Sequence, residues 1–152
     1  MTEESVESRA QFAPVLDGTW PISGMEIPAG EEVTHEVQLD PRAFFSLLNS
    51  DAIDLEAGFN VHSILLHMHR LGQHGVVSIE RADGSSEVLL EVDPYDFNWQ
   101  INYRLQTPAV FQDGDEIRLA CTFDNTEGTE DLSWGEGTDE EMCVANLFIS
   151  GG

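Results

Sequence analysis

The sequence contains no lysine. Its six basic residues are all arginine and stand against 29 Asp and Glu, so 152 residues carry a formal net charge of −23. Such a field repels phosphate backbones and excludes nucleic acid as a partner. It attracts cations, including metal ions and amines, and repels anionic substrates. The same charge also suits plain solubility or adaptation to high salt. Long apolar runs are missing too: none approaches the roughly 20 residues that span a bilayer, so no membrane span is expected. The N-terminal stretch MTEESVESRAQFAPV is acidic and polar, without the basic and apolar parts of a secretory signal. It suits a cytosolic chain or a mature domain cut from a longer precursor. Cysteine is scarce, with two in all. They suit one disulfide, implying an oxidising compartment, or two buried thiols in a reducing one.

What is present describes a single domain with a real core. The apolar fraction is 41%, and eight Phe and three Trp supply large core groups, which excludes collagen-like, coiled-coil and disordered classes. Residues 1–12 read as a flexible acidic N-terminus and 13–152 as the domain. Alternation marks strands at Thr34 to Leu39 and Val76 to Glu80, then Ala82 to Ser85 as a hairpin turn before Glu87 to Val92. Tyr95, Phe97 and Trp99 sit two apart, which predicts three rings on one face of a strand. Tyr103 to Leu105, Ile117 to Phe123 and Met142 to Ser150 complete the strands, with Gln112 to Asp115 as a turn. A helix is expected over Pro41 to Asn49, capped by Asp40. Many short strands with regular turns predict an all-β fold, an antiparallel β-sandwich or jelly roll.

The clearest chemical feature is His67-Met68-His69 within VHSILLHMHRLG. On a strand, residues i and i+2 share a face, so both imidazoles can reach one metal ion. His62 lies five residues earlier, an odd offset that puts it on the opposite face of a regular strand. His62, His35 and His74 are expected in structural roles. A third ligand has two sources. The acidic cluster Glu136, Asp139, Glu140 and Glu141 offers oxygen for zinc or iron. Met142 offers a soft thioether that selects copper, although most methionines simply fill cores.

The runs HMHRLG, YDFNWQINYRL, GDEIRLACTFDNT and WGEGTDEEMC, in that order, resemble the C-terminal domain of the copper type II, ascorbate-dependent monooxygenases. This is the family of peptidylglycine α-hydroxylating and dopamine β-monooxygenases, and the bacterial type is the nearest in character. The resemblance covers roughly Trp20 to Ser150. It implies a jelly roll that holds one copper ion through His67, His69 and Met142, with no catalytic residue apart from these ligands. It also implies a Cys121–Cys143 disulfide, hence an extracytoplasmic location, and dioxygen activation at the copper for attack on a substrate C–H bond. Ascorbate or another reductant would supply electrons. In the family a preceding domain holds a second copper on three histidines, and the five histidines here offer no such set. A partner copper domain or an external reductant is therefore implied. Where the peptide enzyme places Arg, Asn and Tyr to bind a substrate carboxylate, this chain has Leu65, Val144 and Asn146. A small-molecule substrate such as a cationic amine fits the charge better than a peptide.

Two functions follow from these residues. One is the oxygen-activating half of a copper-dependent monooxygenase. The other is a non-catalytic copper-binding module for storage, carriage or sensing. A cupin also carries His-x-His on a jelly roll, but its Gly six residues before the first His and its Glu shortly after the second correspond here to Val61 and to Gln73 or His74.

Overall fold

The computed structural model describes residues 10–42 and 58–151. Among them, eight strands form two four-stranded antiparallel sheets. The strands are β1 (Ala10–Val15), β2 (Glu32–Leu39), β3 (Phe59–His67), β4 (Gly72–Glu80), β5 (Ser86–Val92), β6 (Tyr103–Phe111), β7 (Glu116–Asp124) and β8 (Val144–Gly151). A one-turn helix, α1 (Trp20–Ser23), follows β1. The sheet orders are β1-β8-β3-β6 and β2-β7-β4-β5, which is the jelly-roll form of the expected sandwich. The helix expected over Pro41 to Asn49 lies, beyond Arg42, outside the described residues.

The sandwich closes on residues that alternate inward along each strand. Phe59 and Phe111 stack at 4.5 Å in its centre, joined by Ile79, Leu119, Phe123, Leu147 and Ile149, all fully buried. Each such side chain contributes roughly 1.5–3 kcal/mol on burial. The two expected turns form, with Gly84 and Gly114 at φ of 86° and 82°, a conformation open to glycine at no steric cost. Both edge strands of the first sheet carry proline, Pro14 in β1 and Pro108 in β6. An edge position tolerates the missing N–H. The prolines hide these strands from a sequence reading: β1 starts at Ala10, ahead of the domain boundary drawn at residue 13, and β6 runs six residues past Leu105.

Three local expectations change. Tyr95, Phe97 and Trp99 do not share a strand face: Tyr95 is buried, while Trp99 is 66% exposed. Asp96 turns the chain instead, accepting the Asn98 N–H at 2.8 Å through its side chain and the Trp99 N–H at 2.9 Å through its carbonyl. Asp in that role competes with the strand ladder and wins. The last strand begins at Val144 and leaves Met142 outside it.

The third change concerns β3. Phe59 and Val61 point inward, but after a register shift between Val61 and Ser63 the inward residues are Ile64 and Leu66. A β-bulge exchanges the faces of everything beyond it. Without it His67 would face the core. With it, Leu65 and His67 face outward, and His62 shares that face with them rather than opposing it.

A candidate metal centre at the end of strand β3

His67 ends β3, where it pairs in register with Val144 at the start of β8. Met68 turns into the core with no exposed surface, and His69 follows on the loop to β4. The two imidazoles remain neighbours although the strand ends between them. Their ring centres lie 5.0 Å apart at 79°.

Each ring is held through Nδ1. His69 Nδ1 lies 2.8 Å from the Glu140 carbonyl oxygen, which only accepts, so the nitrogen carries the proton. His67 Nδ1 lies 2.6 Å from Gln100 Oε1. The Gln100 amide is itself oriented, because its Nε2 donates to the Phe97 carbonyl at 2.8 Å. Oε1 therefore faces the imidazole, and His67 Nδ1 must donate. In the neutral form of each ring this leaves Nε2 as the nitrogen without a proton, the one through which imidazole binds a metal.

The loop between the histidines is fixed from beneath. The Tyr95 hydroxyl donates to the Met68 carbonyl at 2.7 Å and accepts the Met68 N–H at 3.0 Å, so one phenol satisfies both polar groups of a buried residue. Burial pushes the Tyr95 pKa up. Glu141, 1% exposed, accepts the His69 N–H at 2.8 Å and the Leu71 N–H at 2.7 Å. Burial also pushes the Glu141 carboxyl above its ordinary value, against the opposing pull of the Leu71, His69 and Met142 N–H groups. Gly72 completes the support: a Cβ there would stand 2.7 Å from Met68 Cβ and 3.1 Å from Tyr95 Cδ1. Phe97 walls His69 at 6.0 Å between ring centres.

Of the two expected sources of a third ligand, the acidic cluster is turned to other work. Glu141 caps backbone, the exposed Glu140 carboxylate accepts the Gly137 N–H at 2.8 Å, and Glu136 and Asp139 are exposed. Among the described residues no group of three or more His, Cys, Asp or Glu side chains is arranged to hold a metal. Met142 is half-buried, directly after Glu141 and two residues before Val144, the partner of His67. Cys143 beside it forms a disulfide with Cys121 of β7, with Cα atoms 5.9 Å apart. The bridge ties the Met142 segment to the opposite sheet. The other histidines are dispersed: His35 bonds to the Glu26 carbonyl, His62 to Ser150 and His74 to Glu91.

The donor set fits a first-row ion. Neighbouring imidazoles are nitrogen donors of the kind such an ion takes, and His67 and His69 are the two that would hold it.

Residues 22–149 match the C-terminal domain of the copper type II ascorbate-dependent monooxygenases. The chain belongs to this family. Among similar proteins, human DBH-like monooxygenase protein 1 is 29% identical over 101 residues, covering 64% of this chain and 16% of that protein. The mouse protein of the same name is 30% identical over 93 residues, 60% of this chain and 15% of the relative. Dog dopamine beta-hydroxylase is 30% identical over 87 residues, 57% of this chain and 14% of that enzyme. This monooxygenase domain thus spans less than a fifth of the length of each of these relatives.

Sequence reasoning missed three contributors to the site: Gln100, Tyr95 and the capping role of Glu141. Gln100 offered no signal. Tyr95 reads in the sequence as one of three rings on a strand face, and Glu141 as one of four acids that offer oxygen to a metal.

Proposed function

We propose that the domain binds one copper ion through His67 Nε2, His69 Nε2 and the Met142 thioether, as the oxygen-activating half of a copper monooxygenase. The reading rests above all on one observation: both histidines are pinned through Nδ1 to acceptors, which holds two neighbouring imidazoles in the ligating tautomer. Family membership supports copper as the metal, and a thioether beside two imidazoles suits its reduced form. Copper bound there would supply a one-electron couple and an open position for dioxygen. The protein's part is to hold the ligands still. Gln100 and the Glu140 carbonyl orient the rings, Tyr95 and Glu141 fix the backbone between and beyond them, and the disulfide steadies the Met142 segment. Ascorbate or another reductant, delivered directly or through a partner copper domain, would provide electrons. The substrate is a small molecule with an oxidisable C–H bond. A net charge of −23 enriches cations, amines among them, around the surface. The disulfide supports an extracytoplasmic location.

One observation favours a second reading, a copper-handling module without turnover. The three histidines outside the pair bond to separate partners, and among the described residues they assemble no second histidine site for electron supply. X-ray absorption of the Cu(I)-loaded protein tests the ligand set. Two nitrogen scatterers and one longer sulfur are expected, with the sulfur lost in Met142→Ala. A sulfur-free site in the unmodified protein would refute the role of Met142. Oxygen consumption with ascorbate, an amine substrate and an added electron-supplying domain then separates the readings. Turnover abolished by His67→Ala supports the monooxygenase; copper binding without turnover leaves the carrier.

A further inference from the structure

The outward face of the β1-β8-β3-β6 sheet holds a groove of about 700 Å³, within the size range of small-molecule sites. It opens where β3 bulges. Between the pairs Val61↔Ala109 and Ser63↔Arg104, β6 advances further than β3 and leaves regular register. One row of residues crosses all four strands there: Phe12 pairs with Phe148, Phe148 with Ser63, and Ser63 with Arg104. Phe12 and Phe148 make an aromatic platform, ring centres 5.1 Å apart, and Phe12 remains 62% exposed. His62 lies 6.1 Å from the Phe148 ring and is fixed by Ser150 at 2.8 Å.

The charge of the groove is the reverse of the charge of the chain. Among the described residues that line it none is Asp or Glu, and one is Arg104. Arg42, Arg81 and Arg118 are each paired with carboxylates; Arg104 makes no ion pair among the described residues. We propose that this groove is a binding site for a small aromatic carboxylate, its ring on Phe12 and Phe148 and its carboxylate on the Arg104 guanidinium. The backbones of Phe148 and Arg104 stand two strand spacings apart, about 10 Å, which suits a phenylalkyl acid. At physiological salt the Debye length is about 8 Å, so charges beyond that reach are screened, and Arg104 acts on the ligand from the groove wall itself. The groove lies four residues along β8 from Val144, the partner of His67, or about 13 Å. It needs no metal to form.

Calorimetric titration of the metal-free protein with 4-phenylbutyrate, 4-phenylbutyramide and 4-phenylbutylamine tests the assignment. The acid should bind saturably, perturbing Phe12, Phe148 and Ser150 amide resonances. Arg104→Gln should weaken it about tenfold while leaving the amide's weaker binding unchanged. Phe12→Ser, an exposed change that spares the fold, should weaken acid and amide alike. Absence of saturable binding at millimolar acid, equal affinity for the amine, or indifference to Arg104→Gln would each overturn the proposal.

Discussion

Replacing Gln100 isolates what the orientation of His67 is worth. Gln100→Leu keeps the size of the side chain and removes the acceptor 2.6 Å from Nδ1. The imidazole is then free to carry its proton on Nε2, and that proton must leave before a metal binds. Loss of such a partner behind a ligating histidine lowers metal affinity by about 10- to 100-fold, or about 1.4–2.7 kcal/mol. Gln100→Glu keeps an acceptor at the same reach and should hold affinity at or above the unmodified level. Gln100 is half-buried, so either variant should cost only about 1 kcal/mol of stability and remain folded. Competition against a Cu(I) chelator at fixed pH measures the affinity, and nitrogen NMR of the metal-free protein reports the His67 tautomer. A Gln100→Leu variant binding Cu(I) as tightly as Gln100→Glu, with Nδ1 still protonated, would refute the argument.

Three further perturbations probe the frame. Tyr95→Phe strips both hydrogen bonds from the buried Met68 peptide groups and should cost about 2–3 kcal/mol in urea denaturation. Replacing Cys121 and Cys143 together by Ala opens a loop of sequence separation 22, and chain entropy alone predicts a loss of about 3 kcal/mol. Asp115 gives a pH signature. Burial opposes its ionisation, but the Gln112 and Ala82 N–H groups and the Arg81 guanidinium outweigh that and hold its pKa below the ordinary value. A depressed folded-state pKa contributes stability in full above the unfolded pKa and loses it as pH falls through the folded value. Asp115→Asn should therefore be less stable by about 2 kcal/mol at neutral pH, and the gap should close below about pH 4. A gap that persisted into acid would show that the carboxylate charge is not its source.

The sequence by itself determined the elements that short-range pattern encodes. Alternation marked β2 and β4, the hairpin turn after β4 implied β5, glycine and aspartate marked the turns at Gly84 and Gly114, and strand count and turn spacing together implied the sandwich. The motif order carried the family, and with it the Cys121–Cys143 pairing. These are local or linear properties, and each survives a reading one window at a time. Tertiary structure decided the rest. The bulge in β3 shows only in its register against β6 and β8, and it turns His67 outward and brings His62 to the same face. Gln100 reaches His67 across 33 residues, Tyr95 grips Met68 across 27, and Glu141 caps His69 across 72. No periodicity foretells such contacts, because they form only once distant strands have paired and loop entropy has been overcome. The groove row from Phe12 to Arg104 belongs to the same class: four residues from four strands, neighbours by register alone.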